Sequence, residues 1–268
     1  MSGFEGKAAF VTGAGSGIGR ATSLALASRG AFVWVTDFDK AAADGTVELI
    51  HAAGGSSAAM QLDVRHEAEW KAAFAAVDAR GVPLGVVVNC AGKSIIADTF
   101  TMAMDDLRLL LAINVEGAFL GMKLGIPRIA ESGGGAVVNI SSIMGLKGQA
   151  RMAGYCGAKG AVRMMTKAIA LECAELRNNV RVNSLHPGIV DTPAWHKHST
   201  DEAGLLGGDA GTGPAAKLDA HEVAKTMVPI GVAATAEEIA ETVCFLASDA
   251  ARHITGAEIV IDGGMTAD

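Results

Sequence analysis

Tyrosine occurs once in this 268-residue chain, and cysteine only four times, at positions 90, 156, 173 and 244. The cysteines are scattered and show neither C-x-x-C nor any other metal-ligand spacing, so no metal site is expected and reduced thiols fit best. Long apolar runs are missing too. Half of the chain is hydrophobic, but Ala, Val, Ile and Leu are broken up by 34 glycines. No uninterrupted run approaches the roughly eighteen residues of a membrane span. The N-terminus, MSGFEGKAAFVTG, has no basic flank followed by an apolar region and a small-residue cleavage site, so no export signal is visible. Basic clusters are absent and the net charge is −7, which argues against a nucleic-acid partner. The expectation is a soluble cytoplasmic protein with a small-molecule partner and no membrane association.

Short Val/Ile-rich runs are present at 8–11, 31–36, 58–62, 86–89, 136–140, 180–185 and 258–261. Between them lie Ala-rich stretches with helical spacing, among them 20–29, 67–79, 107–124 and 161–176. Near-continuous apolar strands alternating with helices predict a parallel sheet covered on both faces, a doubly wound Rossmann-like α/β domain. No linker or internal repeat divides residues 1–268, so one domain is expected. The irregular region is 188–229, which contains GLLGGDAGTGP and the apolar residues Trp195, Leu205, Leu206 and Met227. A loop of this length inside a compact domain reads as a lid over a substrate, with a passive loop as the alternative.

The first strand runs into TGAGSGIG, Thr12 to Gly19, and then into helix. Glycines there let the backbone approach a pyrophosphate, whose charge is favoured by free N–H groups and the positive end of the helix. Gly13, Gly17 and Gly19 are spaced G-x-x-x-G-x-G and do not match the general G-x-G-x-x-G expression, so a plain tight turn is the alternative. The second strand ends at Asp37, eighteen residues after Gly19, where a carboxylate can accept from the two ribose hydroxyls of an adenosine. A 2′-phosphate would be repelled there. Ser16 and Phe38 occupy the places where an NADP protein would be expected to carry Arg or Lys, and Lys40 is the nearest cation. NAD is therefore expected over NADP; capping of the next helix is the other role open to Asp37.

Together the motifs resemble the short-chain dehydrogenase/reductase superfamily over nearly the whole chain: TGAGSGIG at 12–19, Asp63-Val64, NCAG at 89–92, Asn114 in INVEG, NISS at 139–142, YCGAK at 155–159, HPGIVDT at 186–192 and IDGG at 261–264. One departure is Cys90, where the family commonly has a second Asn; packing below the cofactor should feel it more than chemistry. The resemblance implies a seven-stranded parallel sheet with NAD across the carboxyl ends of its strands, a homotetramer or homodimer, and alcohol–carbonyl interconversion. It implies cofactor contacts from Gly13, Ser16, Gly17, Ile18, Gly19, Asp37, Phe38, Asp63, Val64, Asn89, Ala91, Gly92, Tyr155 and Lys159. Pro187, Gly188, Ile189 and Thr192 match the family segment that touches the nicotinamide carboxamide. IDGG has a second reading as a turn closing the last strand.

Oxidising a secondary alcohol requires removal of the hydroxyl proton as hydride leaves the same carbon, and one positioned acid/base serves both directions. A free phenol titrates near pH 10, so ionising it near neutrality costs on the order of 4 kcal/mol. A unit charge about 4 Å away, at an effective dielectric near 20, is worth roughly 4 kcal/mol before desolvation. Lys159 lies four residues after Tyr155 and on a helix shares its face, so it is expected to lower the phenol. An oxidised nicotinamide would add a second positive charge. By resemblance Ser142 orients the substrate oxygen, Lys159 also holds the nicotinamide ribose, and Asn114 supports a water linking Lys159 to solvent. A surface Tyr/Lys pair and a simple Ser-Ser turn are the alternatives.

No G-x-S-x-G or H-E-x-x-H occurs, and WHKH at 195–198 reads as part of the lid, not a metal site. The expected function is an NAD(H)-dependent oxidoreductase of secondary alcohols and ketones, cyclic, alicyclic or steroid-like. Its substrate would meet Ser142, Met144, Gln149, Met152 and Trp195, for the last four of which a core or interface role is equally open. The rival readings are an NADPH-dependent 3-oxoacyl-carrier-protein reductase and a non-catalytic dinucleotide-sensing protein.

Overall fold

The computed structural model describes residues 3–193 and 219–267. Trp195, Leu205, Leu206 and the WHKH run fall outside them. In chain order the elements are β1 (Ala8–Thr12), α1 (Gly17–Ala27), β2 (Phe32–Asp37), α2 (Lys40–Ala52), β3 (Ser56–Gln61), α3 (Glu67–Arg80) and β4 (Leu84–Asn89). Then come α4 (Met104–Leu111), a π-helical turn (Ala112–Glu116), α5 (Gly117–Glu131), β5 (Gly135–Ile140), a 3-10 turn (Ile143–Gly145), α6 (Ala153–Glu175) and β6 (Val180–Pro187). The last elements are β7 (Val190–Asp191), α7 (Ala220–Met227), β8 (Ala234–Thr235), α8 (Ala236–Ala247) and β9 (Glu258–Ile261).

Seven strands form one sheet in the order β3-β2-β1-β4-β5-β6-β9, and every pairing is parallel. The period of two sends alternate residues of β1 to opposite faces. Ala9 and Val11 join a core with Leu26, Val243 and Leu246 of α1 and α8. Ala8 and Phe10 join Trp70, Phe74 and Met122 of α3 and α5 on the other face. Phe10 stacks on Trp70 and Phe74 at centroid distances of 5.6 and 4.8 Å. Burial on both faces is what the unbroken apolar strands require.

The chain winds outward from β1 to β3, returns to β4 and winds the other way. Strand order therefore reverses between β1 and β4, and the turns leaving their carboxyl ends diverge to open a crevice.

Helix boundaries depart from the sequence expectation in informative places. The 161–176 stretch begins at Ala153, because packing overrides the weak helix propensity of Gly154 and Gly157. The 107–124 stretch extends over Met104–Glu131 and contains the π-helical turn. An 18-residue window of that span has mean hydropathy 1.6, enough by length and composition to cross a membrane. In the fold its α5 half packs Leu120, Met122 and Ile129 against the sheet. Part of the supposed loop 188–229 is regular: β7 pairs with β8, and α7 starts at the cap Asp219.

Candidate active site

The turn after β1 is bent by Gly13, at φ +62°, and a Cβ on it would lie 2.8 Å from Ala91 Cα in the turn after β4. A Cβ on Gly19 would fall 2.2 Å from the Gly13 carbonyl oxygen. Thr12 Oγ1 ties the two turns together by accepting from the Cys90 and Ala91 N–H groups, both at 3.0 Å. At the start of α1, Ser16 makes no side-chain cap and the first turn holds no acidic residue. Its free N–H groups and positive dipole end thus fit the pyrophosphate of a dinucleotide.

Asp37 ends β2 beside this turn, where Oδ2 accepts from Gly15 N–H and Oδ1 from Asp39 N–H, each at 2.9 Å. The cap of α2 is Asp39, which accepts from Ala41 and Ala42, so capping is not the role of Asp37. Lys40, the cation of concern, pairs with Asp44 at 2.5 Å. Arg20, which the sequence reading did not single out, donates to the Gly15 carbonyl and to Thr46 Oγ1. Phe38 is exposed.

Asp63, Val64 and Asn89 use their side chains in the framework. Asp63 is bound by Arg65 through Nε and Nη2, which holds its carboxyl below the usual range. Val64 is core, and its carbonyl accepts from Trp70 Nε1 at 3.0 Å. Asn89 donates to Asn139 Oδ1 at 2.7 Å, and Asn139 donates to Thr166 Oγ1 at 2.8 Å, a buried network linking β4, β5 and α6.

Tyr155 and Lys159 occupy the first two turns of α6, facing the end of β5. Lys159, 4% exposed, sets its Nζ 5.7 Å from the Tyr155 ring centroid and donates to the Ile140 carbonyl at 2.9 Å. Ser142 follows β5 in extended backbone and caps the 3-10 turn, its Oγ accepting from Met144 N–H at 3.1 Å. A side-chain hydrogen bond joins it to Tyr155. Asn114 sits in the π-helical turn, whose wider winding lets its amide donate to both the Leu110 and Lys93 carbonyls at 2.9 Å. A Cβ on Gly92 would lie 3.0 Å from Asn114 Oδ1 and 3.3 Å from Lys159 Nζ, so this glycine keeps space between them.

The electrostatics differ from the expectation. Burial pushes the Tyr155 phenol up to about 12, only partly offset by the Ser142 bond. The lowering anticipated from a lysine one turn away is not present in the protein alone. The ammonium of Lys159 is itself desolvated and drops to about 8. The Cys90 thiol beside it is pushed up to about 12 by burial, so it carries no negative charge near neutrality.

These groups line one cleft with a volume of about 300 Å³. Of the predicted residues it brings together Ile18, Gly92, Ser142, Met144, Gln149, Met152, Tyr155, Lys159, Pro187, Gly188, Ile189 and Thr192. The lining also includes Cys90, Lys93, Ser94, Ile96, Val190, Met227 and Met265. Cys90 was visible as the family departure, but no local pattern marks Ile96 or Met265, which arrive from distant segments. Behind Ser142 lies a buried His186 that the sequence reading left inside HPGIVDT without a role. Among the described residues no group of three or more His, Cys, Asp or Glu could hold a metal ion.

Residues 13–266 match a family model described as enoyl-(acyl carrier protein) reductase. The cyclohexanol dehydrogenase of Acinetobacter sp. (strain SE19) is 36% identical over 264 residues, covering 98% of this chain and 96% of that protein. The NADP-dependent (R)-specific alcohol dehydrogenase of Lentilactobacillus kefiri is 35% identical over 266 residues, covering 98% of each. A short-chain type dehydrogenase/reductase from Mycobacterium marinum superposes with a TM-score of 0.87 at 27% identity, over 99% of this chain and 98% of that one. The chain belongs to the short-chain dehydrogenase/reductase family of oxidoreductases.

Proposed function

We propose that the protein is an NAD(H)-dependent dehydrogenase that interconverts a secondary alcohol and its ketone, with Tyr155 as acid/base and a small alicyclic compound as substrate. The observation that carries this reading is the meeting of Ser142, Tyr155 and Lys159 in one cleft, at the switch point onto which the glycine turn opens. When bound, the dinucleotide supplies the hydride acceptor or donor and, oxidised, a positive charge. Gly13, Gly19 and the first turn of α1 would hold its pyrophosphate, and Asp37 its adenosine ribose.

The remaining roles belong to the protein. Met144 N–H donates to Ser142 Oγ, so the hydroxyl proton points into the cleft. There it serves the Tyr155 oxygen in the protein alone and would be given to the substrate oxygen when substrate is bound. Tyr155, a phenol at neutral pH because burial holds it at about 12, is a competent acid for ketone reduction as it stands. Working as a base needs a cation to favour the phenolate. Lys159, with one N–H spent on Ile140, keeps two for ribose hydroxyls.

NAD is favoured over NADP because the carboxylate of Asp37 faces the Gly15 amide with Lys40 neutralised by Asp44. The apolar lining, with Met144, Met152, Ile96 and Met265, suits a hydrocarbon ring, and a relative is a cyclohexanol dehydrogenase. Absorbance of the reduced nicotinamide, followed with cyclohexanol and a panel of secondary alcohols and ketones, first with NAD and then with NADP, tests the reading. Tyr155→Phe is expected to lower kcat by about 10²–10⁴-fold while leaving NADH affinity nearly unchanged. Absence of turnover on every alcohol and ketone, or normal turnover in the variant, refutes it.

A further inference from the structure

His186 is the penultimate residue of β6, before Pro187, is 0% exposed, and spans two hydrogen bonds. Its Nδ1 lies 2.9 Å from the Ser142 carbonyl oxygen. Its Nε2 lies 2.9 Å from Ser184 Oγ. A carbonyl oxygen can only accept, so the ring proton is on Nδ1, and Nε2 accepts from the Ser184 hydroxyl. The hydroxyl's other acceptor, the Ala257 carbonyl, is more distant at 3.4 Å. Burial keeps the imidazole below its ordinary range, which maintains this one neutral tautomer.

The place of the bond gives it meaning. The last ladder bond between β5 and β6 runs from Ser141 N–H to the Leu185 carbonyl at 2.8 Å. Beyond it the backbone turns away, and the imidazole supplies the next link between the two chains. The Ser142 carbonyl also accepts from Gly145 N–H at 2.9 Å, and Ser142 Oγ from Met144 N–H at 3.1 Å. Those two bonds are local to the 3-10 turn and would move with it. Among the described residues, only the imidazole anchors this carbonyl to β6 and so to the sheet.

We propose that His186 is a positioning residue for the reaction: through the Ser142 carbonyl it fixes the direction in which the Ser142 hydroxyl meets the substrate oxygen. The proposal rests on the reading of Ser142 given above. A misplacement of about 1 Å can cost about 10²-fold in rate, so a lost anchor has a measurable effect without any contact to substrate.

The test is a double-mutant cycle on the full chain with the alcohol and cofactor that give turnover. His186→Leu is expected to lower kcat about 10- to 100-fold, with the NADH dissociation constant, read by fluorescence, within about threefold. In a Ser142→Ala background the same change should lower the residual rate less than about twofold. His186→Asn keeps an N–H near the Nδ1 position and should recover most of the loss. If His186→Leu does not fold, Ser184→Ala frees the ring at Nε2 and should show a smaller loss that also vanishes in Ser142→Ala. A loss of equal size in both backgrounds, or one that follows weakened NADH binding, overturns the proposal. If Ser142→Ala is impaired while the His186 variants match the wild type, His186 alone is wrong. If Ser142→Ala turns over normally, the assignment of Ser142 falls, and this inference with it.

Discussion

Replacing Lys159 by methionine should remove a pH dependence from the folding of this protein. The side chain is buried and drops from 10.5 to about 8, so near pH 7 the folded state carries a desolvated ammonium at a penalty of about 3 kcal/mol. The uncharged thioether side chain would fill similar space, though it gives up the bond to the Ile140 carbonyl. That loss is worth about 1.5–3 kcal/mol for a charged donor. The two effects nearly cancel at pH 7, so the absolute difference decides little.

The slope with pH decides more. Between pH 8 and 10.5 the unfolded wild-type chain binds a proton at Lys159 that the folded protein lacks, so this group contributes stability that rises with pH. The buried thiols of Cys90 and Cys244, raised to about 12 and about 11, act oppositely above about pH 9 in both proteins and largely cancel from the comparison. From pH 7 to 9.5 the gain over Lys159→Met is about 2 kcal/mol. Urea unfolding of both proteins across this range, without nucleotide, measures it. The range stops below the window of Tyr155, whose rise to about 12 acts oppositely: its unfolded phenol ionises first above about pH 10, and stability falls. Stability curves for the two proteins that stay parallel from pH 7 to 9.5 would refute a desolvated Lys159.

Two further substitutions test the cofactor site and the frame beneath it. Asp37→Ala removes the acceptor of the Gly15 and Asp39 amides and the carboxylate that disfavours a 2′-phosphate. It should cut kcat/KM with NAD by about tenfold, the equivalent of one charged hydrogen bond, and shift the ratio toward NADP; an unchanged NAD/NADP ratio counts against the role of Asp37. Gly121→Ala puts a Cβ 2.0 Å from Asn89 Oδ1, forcing α5 away from β4. A loss of about 1–3 kcal/mol is expected by urea denaturation, and unchanged stability would show that α5 is not packed this closely.

Much of the fold was legible because its signals are local. A strand buried on both faces must be apolar throughout, which marked β1, β4 and β5 in the sequence. The turn at Gly13 and the lysine one helical turn after Tyr155 are also properties of short segments. The first turns of α6 carried no propensity signal, because Gly154 and Gly157 argue against helix; only the Tyr155–Lys159 spacing pointed to them, and packing against the end of β5 sets them. The regular part of 188–229 was missed for a similar reason, since β7 exists only by pairing with β8, whose residues lie far along the chain.

The sequence by itself determined that this is a doubly wound α/β chain with a dinucleotide turn, an acidic residue closing the second strand, and a tyrosine–lysine pair. Which groups meet, and how strongly water is excluded from them, depends on segments far apart in the chain, so only the tertiary structure decided those points. It reversed the expected sign at Tyr155, because burial disfavours the phenolate more than the Ser142 hydrogen bond favours it. It showed which protein groups engage Asp63 and Asn89, namely Arg65 and Asn139. It also brought His186 to the back of Ser142, forty-four residues away in the chain, because neighbouring strands of a parallel sheet align residues whose separation is set by the helix between them.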